Sequence, residues 1–410
     1  MTTVLELNDA ELTLYHDQSI ALRSPGIAVL LEDATHFGET ALHLSRTHPR
    51  QTNAQYFTRL SAEPLPYATR QVRNHADLVY LHLRELAPLI EGELLLAVPA
   101  ILTPEQLGVL LGILQELGVR VSGFVDSAVA ATAGAEAPGT ACHVDIMMQR
   151  AVITTLGFSD EVSRTSSQEV ADCGLARLLE DWVNVTADRF VQETRYDPLH
   201  AAASEQQLFN QLHAWIEDHP DQTEMALEIH QGDQTRRVEL SRSLLAQKAA
   251  QRFNQLLDAI PEDCPIFLSA RAARMPGLQQ TMIQQLRLLQ VLPAEAPALG
   301  CLNNLPEILR GDGDLRLITR LPHRVAKASS EPGPQIRPLA PTHALYQSRA
   351  VDLLSPRLPF RTNIQGDAAL LLADDGLTLN GQNLDRDAEL HVGDRIGRGQ
   401  DEYLIIHVEE

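Results

Sequence analysis

The chain has 410 residues, of which 33 are basic and 54 acidic, so its formal net charge is −21. This length can bury a large core in two or more domains. The acidic balance argues against nucleic acid or an anionic membrane as the main partner. The sequence has no apolar run long enough to span a bilayer and no signal-peptide pattern, so we expect a cytoplasmic protein without membrane insertion.

The four cysteines are far apart in the sequence and form no C-x-x-C pair. We expect them to be buried thiols of a reducing compartment, and neither a zinc site nor a disulfide framework. They are Cys142, Cys173, Cys264 and Cys301.

The first 134 residues predict short strands followed by strand-helix units. Alternating or apolar runs predict strands at 4–7, 12–15, 27–31, 93–98 and 119–124. Helices are predicted at 76–91, from Thr103 and at 126–133, with Thr103 as N-cap and Pro104 at the first helical position. This β-α-β-α order indicates a mixed or parallel sheet covered by helices.

The next part of the chain repeats this pattern. Strands are predicted at 142–146 and 151–156, then a helix at 175–191, a helical insertion around 203–217 and a hairpin over 226–240. A long helix at 241–260 and a strand-turn-helix unit at 266–290 follow. Two halves with similar elements predict two related lobes around a cleft.

The C-terminal part has a different composition. Residues 326–342 carry four prolines and no periodic apolar face, which is typical of a linker. Beyond it, strands are predicted at 368–372, 377–379, 395–396 and 403–408, with Asn380-Gly381 at a tight hairpin turn. We expect the last strand to lie at a sheet edge.

The segment Ile266–Leu278 resembles the adenosine-binding segment of the seventy-kilodalton heat-shock chaperones, I-V-L-V-G-G-S-T-R-I-P-x-I. The match has no gap and keeps the apolar strand, Arg274 and Pro276. Both family glycines are replaced, by Ala270 and Arg271. In the family those glycines let the backbone approach the nucleotide, because glycine has no Cβ.

Further segments resemble the same family in order and spacing. They are Val98-Pro-Ala100 with Gln106, the crossover helix 126–134, the second phosphate loop within 142–156, Asp172-Cys-Gly-Leu-Ala before a helix, and the second crossover 293–302. The resemblance covers roughly residues 1–310. It implies an α/β protein with the two-lobed fold of the actin-like and heat-shock chaperone ATPases, in which each lobe is ribonuclease-H-like.

The domain organisation that we expect follows from this resemblance and from the composition. Lobe I would occupy residues 1–158, and lobe II with the return crossover 159–325. The Pro-rich linker would be 326–342, and a small β-rich module 343–410.

The resemblance suggests ATP and Mg²⁺ as candidate cofactors, but the missing loop glycines and lysine leave the cofactor of this chain unknown. It also gives a set of candidate site residues. Glu6 and Asp145 match the catalytic carboxylates, while Asp145, Gly174 and Arg274 are candidates for nucleotide binding. Asp145 is either a magnesium-linked carboxylate or a strand-end aspartate of the fold, and the loss of the nearby glycines favours the second. Arg274 either stacks on an adenine ring or bridges the lobes.

The phosphate-binding elements depart from the family. The glycines of the second phosphate loop are replaced by Met147-Met148-Gln149, and the first loop reads Glu6-Leu-Asn-Asp-Ala-Glu11. Asp9 and Glu11 would face phosphate with like charge. No lysine precedes Lys248, so the phosphate-stabilising lysine of the family's first lobe is missing. Arginine could replace its charge but not its compact geometry.

The last 45 residues resemble, through turn signals alone, the closing strands of forkhead-associated domains, and no phosphopeptide site is inferred. We expect a pseudo-ATPase that serves as a scaffold or regulatory protein-binding partner in the bacterial cytoplasm, with a second protein contact through the C-terminal module. One alternative is a divergent ATP-binding chaperone with weak ATPase activity. The other is an actin-like assembly adaptor of an envelope or secretion machine.

Overall fold

The computed structural model describes residues 2–65, 68–137, 139–262, 264–285, 288–309, 315–324, 341–346, 349–365, 368–374, 376–380, 382–384, 386–390, 392–399, 401–406 and 408. The chain is a mixed α/β protein, as the sequence predicts. It divides into two compact units, Met1–Ala326 and Lys327–Glu410. Most of the predicted Pro-rich linker lies outside the described residues.

The first sheet of the larger unit consists of β1 (Thr2–Glu6), β2 (Leu12–His16), β3 (Ser19–Ser24), β7 (Glu93–Val98), β8 (Val121–Asp126) and β16 (Leu317–Ile318). Their order in the sheet is β16-β8-β7-β1-β2-β3. Strand β1 pairs antiparallel with β2 and parallel with β7, and β7 pairs in parallel with β8. Strand β1 is buried between two neighbours, so its apolar run needs no polar face.

The second sheet consists of β9 (Thr140–Ile146), β10 (Arg150–Phe158), β11 (Glu161–Ala171), β14 (Ile266–Leu268), β15 (Leu289–Val291) and β17 (Arg320–Pro322). Their order is β15-β14-β9-β10-β11-β17, which repeats the pairing pattern of the first sheet. Strand β9 pairs antiparallel with β10 and parallel with β14, and β14 pairs in parallel with β15.

Strand β11 was not predicted from the sequence. Most of its residues after Val162 are polar and exposed or half-buried, so it lacks an apolar alternation. It pairs with β10 along its length. The boundary that we expected at residue 158 therefore lies between two neighbouring strands of one sheet, and the sheet itself begins at Thr140.

Smaller β elements complete this unit. Strands β4 (Ala28–Leu30), β5 (Thr35–Phe37) and β6 (Thr52–Asn53) form one sheet, and β12 (Glu224–Gln231) and β13 (Gln234–Ser241) form the predicted hairpin. Gly232 at its tip has a φ of 57°, which glycine adopts without a steric cost.

Helices cover the sheets. They are α1 (Gly38–Leu42), α2 (His75–Leu86), α3 (Pro104–Glu116), α4 (Ser127–Thr132), α5 (Leu175–Thr194), α6 (Ala202–Asp218), α7 (Arg242–Asp258), α8 (Ala270–Arg274), α9 (Leu278–Gln284), α10 (Ala296–Asn303) and α11 (Leu305–Ile308). Thr103 caps α3 in a capping box with Gln106, as expected from the Thr-Pro start. None of the helices in the described residues is both long and apolar enough to span a membrane.

The smaller unit contains two sheets around its own apolar core. The first has the order β19-β18-β26-β25-β22-β23 and the second β20-β21-β24. The strands are β18 (His343–Tyr346), β19 (Arg349–Asp352), β20 (Thr362–Gln365), β21 (Ala368–Leu371), β22 (Leu377–Leu379), β23 (Gln382–Asn383), β24 (Ala388–Leu390), β25 (Arg395–Arg398) and β26 (Asp401–Ile406).

Two expectations for this unit have different outcomes. Strands β22 and β23 pair antiparallel around Asn380, whose φ of 51° fits the predicted tight turn, while Gly381 lies outside the described residues. The expectation that the last strand lies at a sheet edge is wrong. Strand β26 is paired with β18 on one side and β25 on the other, because Tyr403 and Ile405 pack into the core from an interior position.

Candidate functional site

Two turns, one from each sheet of the larger unit, meet in direct contact. The turn between β1 and β2 supplies Asn8 and Asp9, and the turn between β9 and β10 supplies Met148. The Met148 N–H donates to Oδ1 of Asp9 over 2.7 Å. Asn8 Nδ2 donates to the Ile146 carbonyl oxygen over 3.0 Å. The two turns are therefore joined to each other by hydrogen bonds.

The side chains of these turns are buried and have protein partners. Asp9 is 3% exposed, and its Oδ2 accepts a hydrogen bond from Thr58 Oγ1 over 2.6 Å. Burial raises the pKa of Asp9 even though these hydrogen bonds favour the carboxylate. Met147 and Met148 are each 5% exposed, so little of either side chain lies on the protein surface.

Arg271 lies among carboxylates from both sheets. Its Nη1 is 3.4 Å from Oδ2 of Asp145 and 3.6 Å from Oε1 of Glu6, and its Nη2 is 3.6 Å from Oε1 of Glu11. Nη2 also donates to the Glu11 carbonyl oxygen over 3.1 Å. The Arg271 side chain is 6% exposed, so one buried guanidinium joins both sheets.

The fold places these groups at the ends of strands. Glu6 ends β1, Asp145 lies near the end of β9, and Ser269 follows β14 as the N-cap of α8. Ser269 Oγ donates to Asp145 Oδ1, and Asn8 Nδ2 donates to Asp145 Oδ2 over 2.8 Å. Asp145 is thus held by a serine, an amide and a guanidinium at once.

Arg274 extends the cluster by one turn of α8. Its Nη2 is 3.3 Å from Oε1 of Glu11 and 2.9 Å from Oε2 of Glu217 on α6. Of the two roles considered for Arg274, these contacts are those of a residue that bridges the sheets. Glu217 was not recognised from the sequence because it lies in the helical insertion, far from every motif.

Burial and the arginines shift the pKa values of the carboxyl groups in opposite directions. Burial opposes ionisation of Asp145 and Glu11, but Arg271 and the neighbouring donors outweigh it and hold both pKa values below their ordinary range. For Glu6 and Glu217, burial outweighs the arginines and raises the pKa. In Arg271, burial disfavours the charge, yet the surrounding carboxylates raise its pKa further above the ordinary value.

The Tyr15 hydroxyl has two acceptors within hydrogen-bond distance. The Tyr15 hydroxyl lies 3.0 Å from Oε2 of Glu6 and 2.7 Å from the Ala294 carbonyl oxygen. A hydroxyl has one proton to donate, and the carbonyl oxygen can only accept. The Tyr15 proton is therefore shared between the Glu6 carboxyl oxygen and a backbone carbonyl oxygen, and the bond to Glu6 lowers the pKa of that carboxyl against the larger effect of burial.

Gly174 begins α5 and packs against the second turn. A Cβ at this position would lie 2.2 Å from the Gln149 carbonyl carbon and 2.3 Å from the Arg150 nitrogen, so only glycine fits. The N–H groups of Leu175 and Ala176 donate to the carbonyl oxygens of Met147 and Met148, each over 2.9 Å. The helix N-terminus, which can bind anions elsewhere, is therefore bonded to protein carbonyl groups.

The cavities differ in size and lining. The cavity beside Glu6, Arg271 and Arg274 has a volume of about 30 Å³, which holds one or two water molecules. A second cavity of about 810 Å³ borders the first turn at Ala10 and the second turn at Gln149, and Phe209 also lines it. That volume suits a small ligand, but Glu6, Asp145, Gly174 and Arg274 do not line it.

The sequence-predicted site residues are thus partly brought together. Glu6, Asp145 and Arg274 belong to one cluster with Arg271 and Glu11, whereas Gly174 lies at the adjoining turn. The centre of the cluster, Arg271, was noted only as a replaced glycine. A charged residue within three positions of the end of a buried strand is often buried itself and then requires a partner, and this signal could have identified it.

No protein-family model matches the chain, and no curated protein sequence matches it either. Among the described residues, no group of three or more His, Cys, Asp or Glu side chains is placed to hold a metal ion.

Proposed function

We propose that this chain is a heat-shock-chaperone-like pseudo-ATPase with the two-lobed actin-like fold, which serves as a scaffold or regulatory protein partner in the bacterial cytoplasm. Two features support the fold. The segments described above resemble the chaperone family over roughly residues 1–310. The partial orders β8-β7-β1-β2-β3 and β15-β14-β9-β10-β11 are equivalent, as a duplicated lobe requires.

The contact between the two turns carries the proposal. In the family, the corresponding loops hold phosphate by pointing successive backbone N–H groups at its oxygens. Here the Met148 N–H points at Asp9 and the Asn8 amide reaches the Ile146 carbonyl oxygen. A triphosphate would have to break these bonds and face the Asp9 carboxyl group.

Arg271 supports the loss of metal binding. A magnesium ion held through Glu6 or Asp145 would have to compete with the buried Arg271 guanidinium, which lies 3.6 Å from Glu6 Oε1 and 3.4 Å from Asp145 Oδ2. Magnesium binds through near-ideal octahedral oxygen ligands and dehydrates reluctantly. The arginine thus supplies internally the positive charge that the family takes from metal and lysine.

One observation favours a second candidate, a divergent chaperone that binds ATP. The cavity of about 810 Å³ is large enough for a nucleotide, and its rim carries exposed arginines such as Arg50, Arg59 and Arg177. In this case the phosphates would lie within that cavity and away from Asp145.

The smaller unit supports a role in protein contact. Within its described residues, β19 and β23 are the outer strands of the larger sheet. Outer strands have backbone groups that an extended segment of a partner can pair with. We assign the second protein contact to this unit.

A phosphate-release assay tests the proposal. The purified chain should release phosphate from ATP-Mg no faster than a mock purification from cells without the gene, because positioning and charge stabilisation supply most phosphoryl-transfer catalysis. Turnover that Asp145→Ala abolishes would overturn the pseudo-ATPase and assign hydrolysis to the cluster around Asp145. Turnover above the mock level that is equal in the wild type and Asp145→Ala would also overturn it and would favour hydrolysis in the cavity of about 810 Å³.

A further inference from the structure

Two thiols that are far apart in the sequence lie next to each other in the second sheet. The sulfur atoms of Cys142 and Cys264 are 3.0 Å apart, although 122 positions separate the residues. Cys142 lies on β9, and Cys264 lies two residues before β14. This pair is not apparent from the spacing of the cysteines, which predicted isolated thiols.

The backbone holds the two residues in place. Strands β9 and β14 pair in parallel with Cys142 opposite Ile266. The Cys142 N–H donates to the Pro265 carbonyl oxygen over 2.8 Å, next to Cys264 in the chain. The sulfur separation is therefore set by sheet pairing.

We propose that Cys142 and Cys264 form a reversible disulfide, which makes this pair an oxidation site of the protein. A protein disulfide has a sulfur separation of about 2.05 Å, so the two atoms need to approach by about 1 Å. The pairing of β9 with β14 is present before the bond forms.

The oxidant is a low-molecular-weight disulfide, and the step is thiol-disulfide exchange. Cys264 is 8% exposed and Cys142 is fully buried, so the Cys264 thiolate attacks one oxidant sulfur and releases a first small thiol. The Cys142 thiolate then attacks Sγ of Cys264 and releases the second. The two cysteines lose two protons and two electrons, and the oxidant gains them.

The other two cysteines lack these features. Cys173 Sγ donates to the Arg252 carbonyl oxygen over 3.1 Å. Burial raises the pKa of Cys173 to about 11 and that of Cys301 to about 12, which disfavours their thiolates. Oxidation is therefore expected at one pair.

The Cys142–Cys264 disulfide would restrict the unfolded chain over a large part of the larger unit. It closes a loop over residues 143–263, which contains α5, α6 and α7. It also fastens together the two strands whose ends carry Asp145 and Ser269. Loop closure of this length is expected to raise the melting temperature of the larger unit by about 5–8 °C.

The test uses the full reduced chain and oxidised glutathione as the probe. We expect the thiol count after denaturation to fall from four to two, peptide mapping to find Cys142 linked to Cys264, and dithiothreitol to reverse the melting shift. Cys264→Ser should abolish the loss of thiols, while Cys173→Ser should still lose two.

Other results would overturn the proposal. They are four remaining thiols under conditions that oxidise the urea-unfolded chain, a glutathione adduct on Cys264 with Cys142 still a thiol, or a link between other cysteines. Peptide mapping of the wild-type chain shows which cysteines are linked, even if a variant fails to fold.

Discussion

Nη1 of Arg271 lies 3.4 Å from Oδ2 of Asp145, which joins the helix after one strand to the end of its parallel neighbour. Glu6 and Glu11 bring the first sheet into the same contact. In a buried site, such a pairing costs desolvation of every charge and is favourable only while the partners are complete. The cluster therefore acts as a structural centre of the larger unit.

Removal of Arg271 is expected to destabilise the protein strongly. Arg271→Ala leaves three carboxyl groups in a buried site without their main cation, which should lower the free energy of unfolding by about 3–5 kcal/mol. Urea denaturation at pH 7 measures this. The control is Arg120→Ala, since the Arg120 side chain is 80% exposed and its loss should change stability by about 0.5 kcal/mol or less. Equal effects of the two changes would contradict the buried cluster.

Glu6 and Asp145 should respond differently to amide substitution. Burial raises the pKa of Glu6, and a glutamine oxygen can still accept from Tyr15, so Glu6→Gln should change the free energy of unfolding by less than about 1 kcal/mol. Asp145→Asn removes the carboxylate that Arg271 and Ser269 hold and should cost about 3 kcal/mol. Denaturant titrations of both variants at pH 7 compare them directly. A larger loss in Glu6→Gln would show that Glu6 is ionised.

His82 gives the protein a pH dependence. His82 Nε2 lies 2.8 Å from Ser24 Oγ, and His82 Nδ1 lies 2.7 Å from Tyr56 Oη. The ring stacks on Phe37, and burial lowers the pKa of His82 to about 4. The unfolded state, with an ordinary pKa near 6.5, binds the proton more readily. The stability that the neutral ring contributes is therefore complete above about pH 6.5 and falls as the pH drops towards 4.

The expected size of this effect is about 2 kcal/mol between pH 7 and pH 5. His82→Gln cannot titrate, so the stability difference between wild type and variant should shrink by that amount over the interval. Urea titrations at the two pH values measure it. A difference that does not vary with pH would mean that the pKa of His82 is the same in the folded and unfolded states.

The sequence predicts much of the fold, because buried strands and amphipathic helices have clear apolar patterns. The predicted strand at 93–98 and the Thr103 cap agree with the structure. Strand β11 was missed because most of its residues are polar and exposed or half-buried, and its place in the sheet comes from pairing with β10 and β17. The edge position of the last strand was wrong because interior and outer strands of a small sheet have similar alternation.

The site was less predictable than the fold. The resemblance identified Glu6, Asp145 and Arg274 one by one, but long-range pairing decides which carboxylates Arg271 meets. Glu217 and Cys264 reach their partners from other parts of the chain, which no local pattern encodes.

The larger unit should fold without the smaller one. Among the described residues, the core of the smaller unit is formed by residues between Ala344 and Ile405, as expected of a domain with its own core. A chain that ends at Ala326 should therefore keep a single cooperative thermal transition. Loss of that transition would mean that residues 327–410 are an integral part of the larger unit.

A calorimetric titration of the full chain with ATP-Mg tests the central claim, which is that the joined turns and Arg271 have replaced the nucleotide site. An active heat-shock ATPase serves as the positive control. The account predicts no saturable heat up to millimolar ATP-Mg. Saturable binding with a micromolar dissociation constant, abolished in Asp145→Ala, would contradict it.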